Sequence, residues 1–125
     1  MTENEWSREI IGAAIEVHRN LGPGLLESAY EEALCYEFKL REITFERQKY
    51  QALNYKRKTL KTDYRIDLLV AEKVIIEIKA KETVSRIDKA QTLTYLRLSD
   101  LKLALLINFH EPLLKDGISR IVNNL

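Results

Sequence analysis

Apolar residues along this chain recur at two spacings, and the changes between them mark out the elements. Trp6, Ile10, Ala13, Ala14 and Val17 repeat at helical intervals and predict a first helix from about residue 5 to 20. Thr2 and Glu5 stand ahead of it with capping-box spacing. Gly22-Pro23-Gly24 breaks it. A second helix is expected over about 26–41, where Leu26, Ala29, Tyr30, Ala33, Leu34 and Phe38 form an apolar surface broad enough to be well buried. From Thr44 the period changes. Phe45 to Lys56 reads as one long or bent strand, followed by a turn near Arg57-Lys58 and a strand over about 63–70. After the polar break Ala71-Glu72-Lys73, the β-branched run Val74 to Ala80 predicts a third strand. Residues 86–98 return to helical spacing, with Ile87, Ala90, Thr94 and Leu98 as the apolar stripe. Leu103 to Phe109 is a continuous apolar strand of the kind covered on both faces. Pro112 opens a short last helix carrying Leu113, Leu114, Ile118, Ile121 and Val122, which Gly117 weakens.

The order is ααβββαβα. A helix between the third and fourth strands permits a parallel crossover, so the expected class is α/β with a mixed central sheet of about four strands flanked by helices. Residues 1–125 amount to one domain, and 46% hydrophobic residues are enough to bury a core without staples. The single cysteine, Cys35, excludes an intramolecular disulfide and a cysteine-rich zinc site. Sitting mid-helix among apolar residues, it is expected to be buried rather than nucleophilic. The longest apolar run, Leu103 to Ile107, is too short for a membrane span, and no signal-peptide pattern opens the chain. The expected location is the cytoplasm.

Twenty basic against nineteen acidic residues leave a net charge of +1, which excludes a strongly basic nucleic-acid binder as a description of the whole chain. One local cluster departs from that balance. Lys56, Arg57, Lys58, Lys61 and Arg65 lie close together with one acid, Asp63. They form either a solvated hairpin tip or an edge that touches phosphate. There is no G-x-S-x-G, Walker A loop or dinucleotide fingerprint.

Three charged residues interrupt the apolar strands. Glu77 and Lys79 share one strand face with Ile75, while Ile76, Ile78 and Ala80 take the other. The plainer alternative is a solvent-facing ion pair. Asp67 changes the picture. A three-residue loop at 71–73 would set it opposite Glu77 on one face, whereas a two-residue loop would set them on opposite faces. Two opposed carboxylates repel unless a cation lies between them. Mg²⁺ needs only one or two carboxylates, acidifies a bound water and screens phosphodiester charge. Lys79 could orient or deprotonate that water, or stabilise developing negative charge. Glu27 near the start of the second helix, and Gln91 and Tyr95 four apart on the third, could complete such a site. Each also has an ordinary reading, as a first-turn acid or a surface or packing residue. His18 and His110 are more simply packing and surface residues.

Gly24-Leu-Leu-Glu27-Ser-Ala-Tyr30 matches the pattern that names the GxxExxY family. Val17 to Gly24, Phe45 to Gln48, Asp67 to Val70, Glu77 to Ala80, Gln91 to Leu96, Leu106 to Phe109 and Pro112 to Gly117 also resemble it, in order along nearly the whole chain. That family is classed with the PD-(D/E)XK nuclease-like superfamily. The resemblance implies a restriction-endonuclease-like core, αβββαβ, to which this chain adds an N-terminal and a C-terminal helix. It also implies roles: Asp67 and Glu77 as metal ligands with the carbonyl of Ile78, Glu27 as a direct or water-mediated ligand, and Lys79 acting on water. Gln91 and Tyr95 resemble the Q-x-x-x-Y helix of exonuclease-like branches. Lys81 and Tyr30 are the candidates for touching nucleic acid. Ile66 stands where the motif's proline would be, and this does not touch a ligand. The expectation is a Mg²⁺- or Mn²⁺-dependent nuclease acting on nucleic acid, with DNA as the expected polymer. So small a surface is compatible with a homodimer or a protein partner. The alternative is a catalytically inactive module of the same fold that binds nucleic acid or a partner protein, since fold alone does not settle activity.

Overall fold

A computed structural model describes residues 1–125. Helix α1 spans Glu3–Leu21 and begins with the expected capping box: the Thr2 hydroxyl accepts from Glu5 N–H, and Glu5 accepts from Thr2 N–H. It ends at Gly22, whose φ of +67° is open to glycine and strained for other residues. Helix α2 spans Glu27–Leu40. Strand β1 covers Phe45–Tyr50, β4 Arg65–Val70 and β5 Val74–Lys79. Helix α3 covers Arg86–Ser99, with a capping box of Ser85 and Asp88, and β6 covers Leu103–Asn108.

The long strand expected over 45–56 is shorter than that. It stops at Tyr50, and a separate ribbon, β2 Asn54–Tyr55 and β3 Lys58–Thr59, projects from the chain. Its turn falls on Lys56-Arg57, one residue before the expected place, and both have positive φ as a tight two-residue hairpin turn demands.

The predicted last helix is replaced by a single 3-10 turn, Leu114–Gly117, and a strand, β7, Ile118–Val122. The main sheet therefore has five strands, in the order β1-β4-β5-β6-β7, with β5 and β6 parallel and the other pairs antiparallel. The spacing of Ile118, Ile121 and Val122 suits a helix, but these residues are β-branched. Strand β6 is buried along its whole length, so its outer edge needs a hydrogen-bonded partner. Gly117 makes the entry into β7 possible. A Cβ there would overlap the carbonyl oxygen of Asn108. Gly117→Ala is expected to cost about 3 kcal/mol, read as a lower urea midpoint; an unchanged midpoint would show that the close approach is unimportant.

Helices α1 and α2 cover one face of the sheet. Ile10, Ala14, Leu34 and Phe38 pack there on Leu68, Ile76, Ile78, Leu105 and Ile107. Helix α3 covers the other face, where Tyr95 and Leu96 meet Ile66, Leu69, Ile75 and Ala104. The face α3 turns inward is Asp88, Thr92, Tyr95 and Leu96, not the expected stripe. Ile87 is 75% exposed, and Ala90, Thr94 and Leu98 are exposed as well. On this face Tyr95 and Leu96 fill the apolar cluster and Asp88 meets Lys79 and Lys81 on the sheet side.

Candidate active site

The site forms where β4 parts from its neighbours. The β4–β5 hairpin has the three-residue connection 71–73, and its pairs run from Val70 with Val74 to Leu68 with Ile76. Continued one step, this register sets Asp67 beside Glu77. The β1–β4 ladder is interrupted at the same level: Arg47 pairs with Leu68 and Lys49 with Ile66, while Gln48 and Asp67 between them make no pair. Gln48 adopts a left-handed φ of +53°. Beyond the gap, Ile66 packs with Leu69 and Ile75 on the α3 side, although strict alternation would group it with Leu68. The distorted ladder frees the Asp67 carboxylate to turn to the backbone of β5. Its Oδ2 accepts from Ile78 N–H at 2.8 Å, and its Oδ1 accepts from Gln48 Nε2 at 3.3 Å.

Glu77 lies next to it, only 6% exposed. Its Oε1 is buried and has no hydrogen-bond partner. Burial, and then the charge on Asp67, raise its pKa to about 9, against the pull of Lys79. A buried carboxyl in this state is costly as an anion without a cation to meet it. The two acids and the unpartnered oxygen therefore fit a hard divalent ion, whose ligands are oxygens.

Lys79 follows on the same face, half-buried, with Nζ 4.0 Å from Asp88 Oδ1. Lys81 Nζ is 2.5 Å from the other Asp88 oxygen. Burial opposes the Asp88 charge, but Lys81, the Ser85 N–H and hydroxyl, and Lys79 outweigh it and lower its pKa to about 2. Asn108 holds the segment from behind, accepting from Lys81 N–H at 3.1 Å and donating to Lys81 C=O at 2.8 Å. On α3, Gln91 Nε2 donates to the Tyr95 hydroxyl at 3.2 Å. Burial, and then the charge of Glu77, raise the pKa of that hydroxyl, which places Tyr95 within the field of the acids.

Two expected residues stand differently. Glu27 is exposed in the first turn of α2 and does not join the acids: no three His, Cys, Asp or Glu side chains are grouped to hold a metal ion. The helical acid that reaches the site is Glu31, one turn later and buried. It accepts from Arg47 Nε and from Gln48 Nε2, both at 2.8 Å, and Gln48 connects it to Asp67. Tyr30 is fully buried and stacks on Phe109 at 4.6 Å, so it does not touch nucleic acid. Its hydroxyl donates to Gly22 C=O at 2.6 Å and accepts from Leu25 N–H at 3.1 Å. Gly24 supplies the positive φ of +107° within the turn so clasped. The glycine and tyrosine of the G-x-x-E-x-x-Y pattern are thus a structural clasp. Tyr30→Phe is expected to cost about 1–3 kcal/mol of stability, since it strands two backbone groups, and to leave nucleic-acid affinity unchanged. A loss of affinity without a loss of stability would restore the binding role. His18 also has a packing role, with Nε2 2.8 Å from Glu111 C=O, tying α1 to the segment after β6.

Glu31 and Asp88 were not singled out from the sequence, and Gln48 and Asn108 stood there only within segments that resemble the family, with no role given to them. Asp88 also caps α3 together with Ser85, and nothing local in the sequence shows that this cap binds two lysines.

The sequence profile of the PD-(D/E)XK nuclease superfamily matches residues 4–121. No curated protein and no solved structure is significantly similar to the chain. The profile match begins in α1 and ends in β7, so it takes in every strand of the main sheet, and the chain belongs to the PD-(D/E)XK nuclease superfamily.

Proposed function

We propose that the chain hydrolyses phosphodiester bonds in nucleic acid with the help of Mg²⁺ or Mn²⁺, held by Asp67, Glu77 and the carbonyl of Ile78. The observation that carries this is the buried, unpartnered Oε1 of Glu77 next to the Asp67 carboxylate. Membership of a superfamily made up mostly of nucleases, which generally use divalent metals, supports it. When bound, the cation acidifies water and screens phosphate charge.

The chain's own residues do the rest. The Ile78 N–H and Gln48 hold Asp67 in place, and Glu31 in turn holds Gln48. Lys79 orients or deprotonates the attacking water, or meets negative charge as it develops. Asp88 positions Lys79 and Lys81, and Lys81 is placed to meet a phosphate. The Gln91–Tyr95 pair orients the lysine or the scissile phosphate. Glu27 has a place only through water. The Gly24–Tyr30 clasp supports assignment to the GxxExxY branch. We read residues 1–125 as one nuclease-like domain, acting in the cytoplasm, on DNA in the first place, as a homodimer or with a protein partner. No helix is long and apolar enough to cross a membrane.

The test is cation binding followed by calorimetry, alongside cleavage of a panel of labelled DNA and RNA at low salt with Mg²⁺ or Mn²⁺. Wild type should bind the cation and cleave, and Asp67→Ala should do neither. Equal cation binding by wild type and Asp67→Ala would sink the proposed metal site. The inactive-module alternative predicts no cleavage, with Asp67→Ala neutral or stabilising.

A further inference from the structure

A cavity of about 210 Å³ lies between α3 and the base of the β2–β3 ribbon, lined by Leu53, Tyr64, Gln91, Thr94, Tyr95 and Leu98. Tyr95 connects it to the acid pair, since it packs in one cluster with Ile66, the neighbour of Asp67. The lining is mostly apolar and aromatic with a few polar side chains, the composition of a small-molecule site. Tyr64 forms part of the wall, edge-on to Tyr95 at 6.3 Å between ring centroids, and remains 43% exposed.

The same excursion of chain supplies charge. Leu53 precedes β2 and Tyr64 follows β3. Between them Lys56, Arg57, Lys58 and Lys61 are exposed and make no ion pair, unlike Arg65, which is engaged by Asp63 and lies over the Tyr50 ring. Tyr55, 60% exposed, stands among these cations, with Lys56 Nζ 5.4 Å from its ring centroid. Free cations interleaved with exposed aromatic rings are the equipment of a single-strand binder: the cations follow the phosphates and the rings stack with bases. A duplex keeps its base faces stacked inside and would gain little from either the rings or the cavity.

We infer that the ribbon and this cavity receive single-stranded nucleic acid, with the phosphates along Lys56–Lys61 and one unstacked base in the cavity between Tyr64 and α3. The inference takes the acid pair as the cleavage centre, as proposed above, and specifies the form of its substrate.

The experiment reads binding, not cleavage, so it stands apart from the nuclease reading. Fluorescence anisotropy is measured in EDTA at low salt with labelled oligo-dT and oligo-U strands of about 12 nucleotides and a blunt duplex of equal length. Stacking reads the base face, so tighter binding of either strand than of the duplex sustains the inference. Tyr64→Ala should weaken single-strand binding by roughly 5- to 100-fold, the range of one lost base stack, and leave duplex binding nearly unchanged. Thr94→Trp, an exposed helix position that fills the cavity without removing a core residue, should give the same selective loss. Lys56→Glu with Arg57→Glu should flatten the salt dependence. Equal binding of strand and duplex, equal losses for both in Tyr64→Ala and Thr94→Trp, or no binding of any probe would overturn the inference. Selective single-strand binding in a protein that never cleaves would uphold it and remove the nuclease reading instead.

Discussion

Lys79→Ala should lower the cleavage rate by about 10²–10⁴-fold, the usual worth of a group that moves or orients a proton in the transition state, while cation affinity and the urea midpoint stay close to wild type. The reasons are in its surroundings. Lys79 follows Asp67 and Glu77 on one face but is not among the oxygens that would hold a cation. Its ammonium is 4.0 Å from Asp88, a loose contact, and Asp88 keeps its closer partners Lys81 and Ser85 when Lys79 is removed. Truncation therefore strands no buried charge, and a partly exposed pair of this kind contributes little to stability. Single-turnover kinetics with saturating Mg²⁺ separate the chemical step from binding. A rate within a few-fold of wild type would remove Lys79 from the chemistry. A rate loss that follows a loss of cation affinity would make it part of the metal site instead.

The second large effect concerns Glu77 in the metal-free protein. Its carboxyl ionises near 4.5 in the unfolded chain and near 9 in the fold. Between those values the folded state holds a proton that unfolding releases, so stability falls as pH rises through this window, by up to about 1.4 kcal/mol per pH unit. Below the window the effect is absent. Glu77→Gln cannot ionise and should remove the slope, leaving the variant more stable than wild type by a few kcal/mol at pH 8 in EDTA. Saturating Mg²⁺ should reverse the order, stabilising wild type by mass action and leaving the variant unmoved. Asp88 does not obscure this. Its lowered pKa gives stability present above 3.8 and lost as pH falls toward 2, outside the Glu77 window. Urea midpoints measured from pH 5 to pH 9 check the prediction; parallel profiles for wild type and Glu77→Gln in EDTA would show that Glu77 is not a strained, buried acid.

The two effects fail independently. Metal-linked stability at Glu77 without cleavage would leave a cation-binding fold with no active chemistry. Cleavage sensitive to Lys79 in a protein with no pH-linked strain would place the catalytic acids elsewhere on the same face.

Much of this architecture is written in short-range features. The Thr2–Glu5 box starts α1 and the Gly22–Gly24 break stops it. The three-residue connection 71–73 sets the hairpin register from Val70–Val74 to Leu68–Ile76, which continued one step places Asp67 beside Glu77. The G-x-x-E-x-x-Y pattern marks the clasp at the start of α2, in which its glycine and tyrosine shape the turn.

Other features depend on residues far apart in the chain. Ile118, Ile121 and Val122 could serve a helix or a strand, and the open edge of a fully buried β6 selects the strand. Helix α3 carries an apolar stripe through Ile87, yet another face turns inward, where Tyr95 and Leu96 fill the cluster over Ile66, Leu69 and Ile75 and Asp88 meets Lys79 and Lys81. Glu31 is one of many helical acids until Gln48, in its left-handed conformation, connects it to Asp67. Periodicity, caps and loop lengths act over a few residues, so local sequence carries them. Sheet order, the inward face of α3 and the partners of each buried charge are settled by pairings and desolvation between distant segments, and these exist only once the chain has folded.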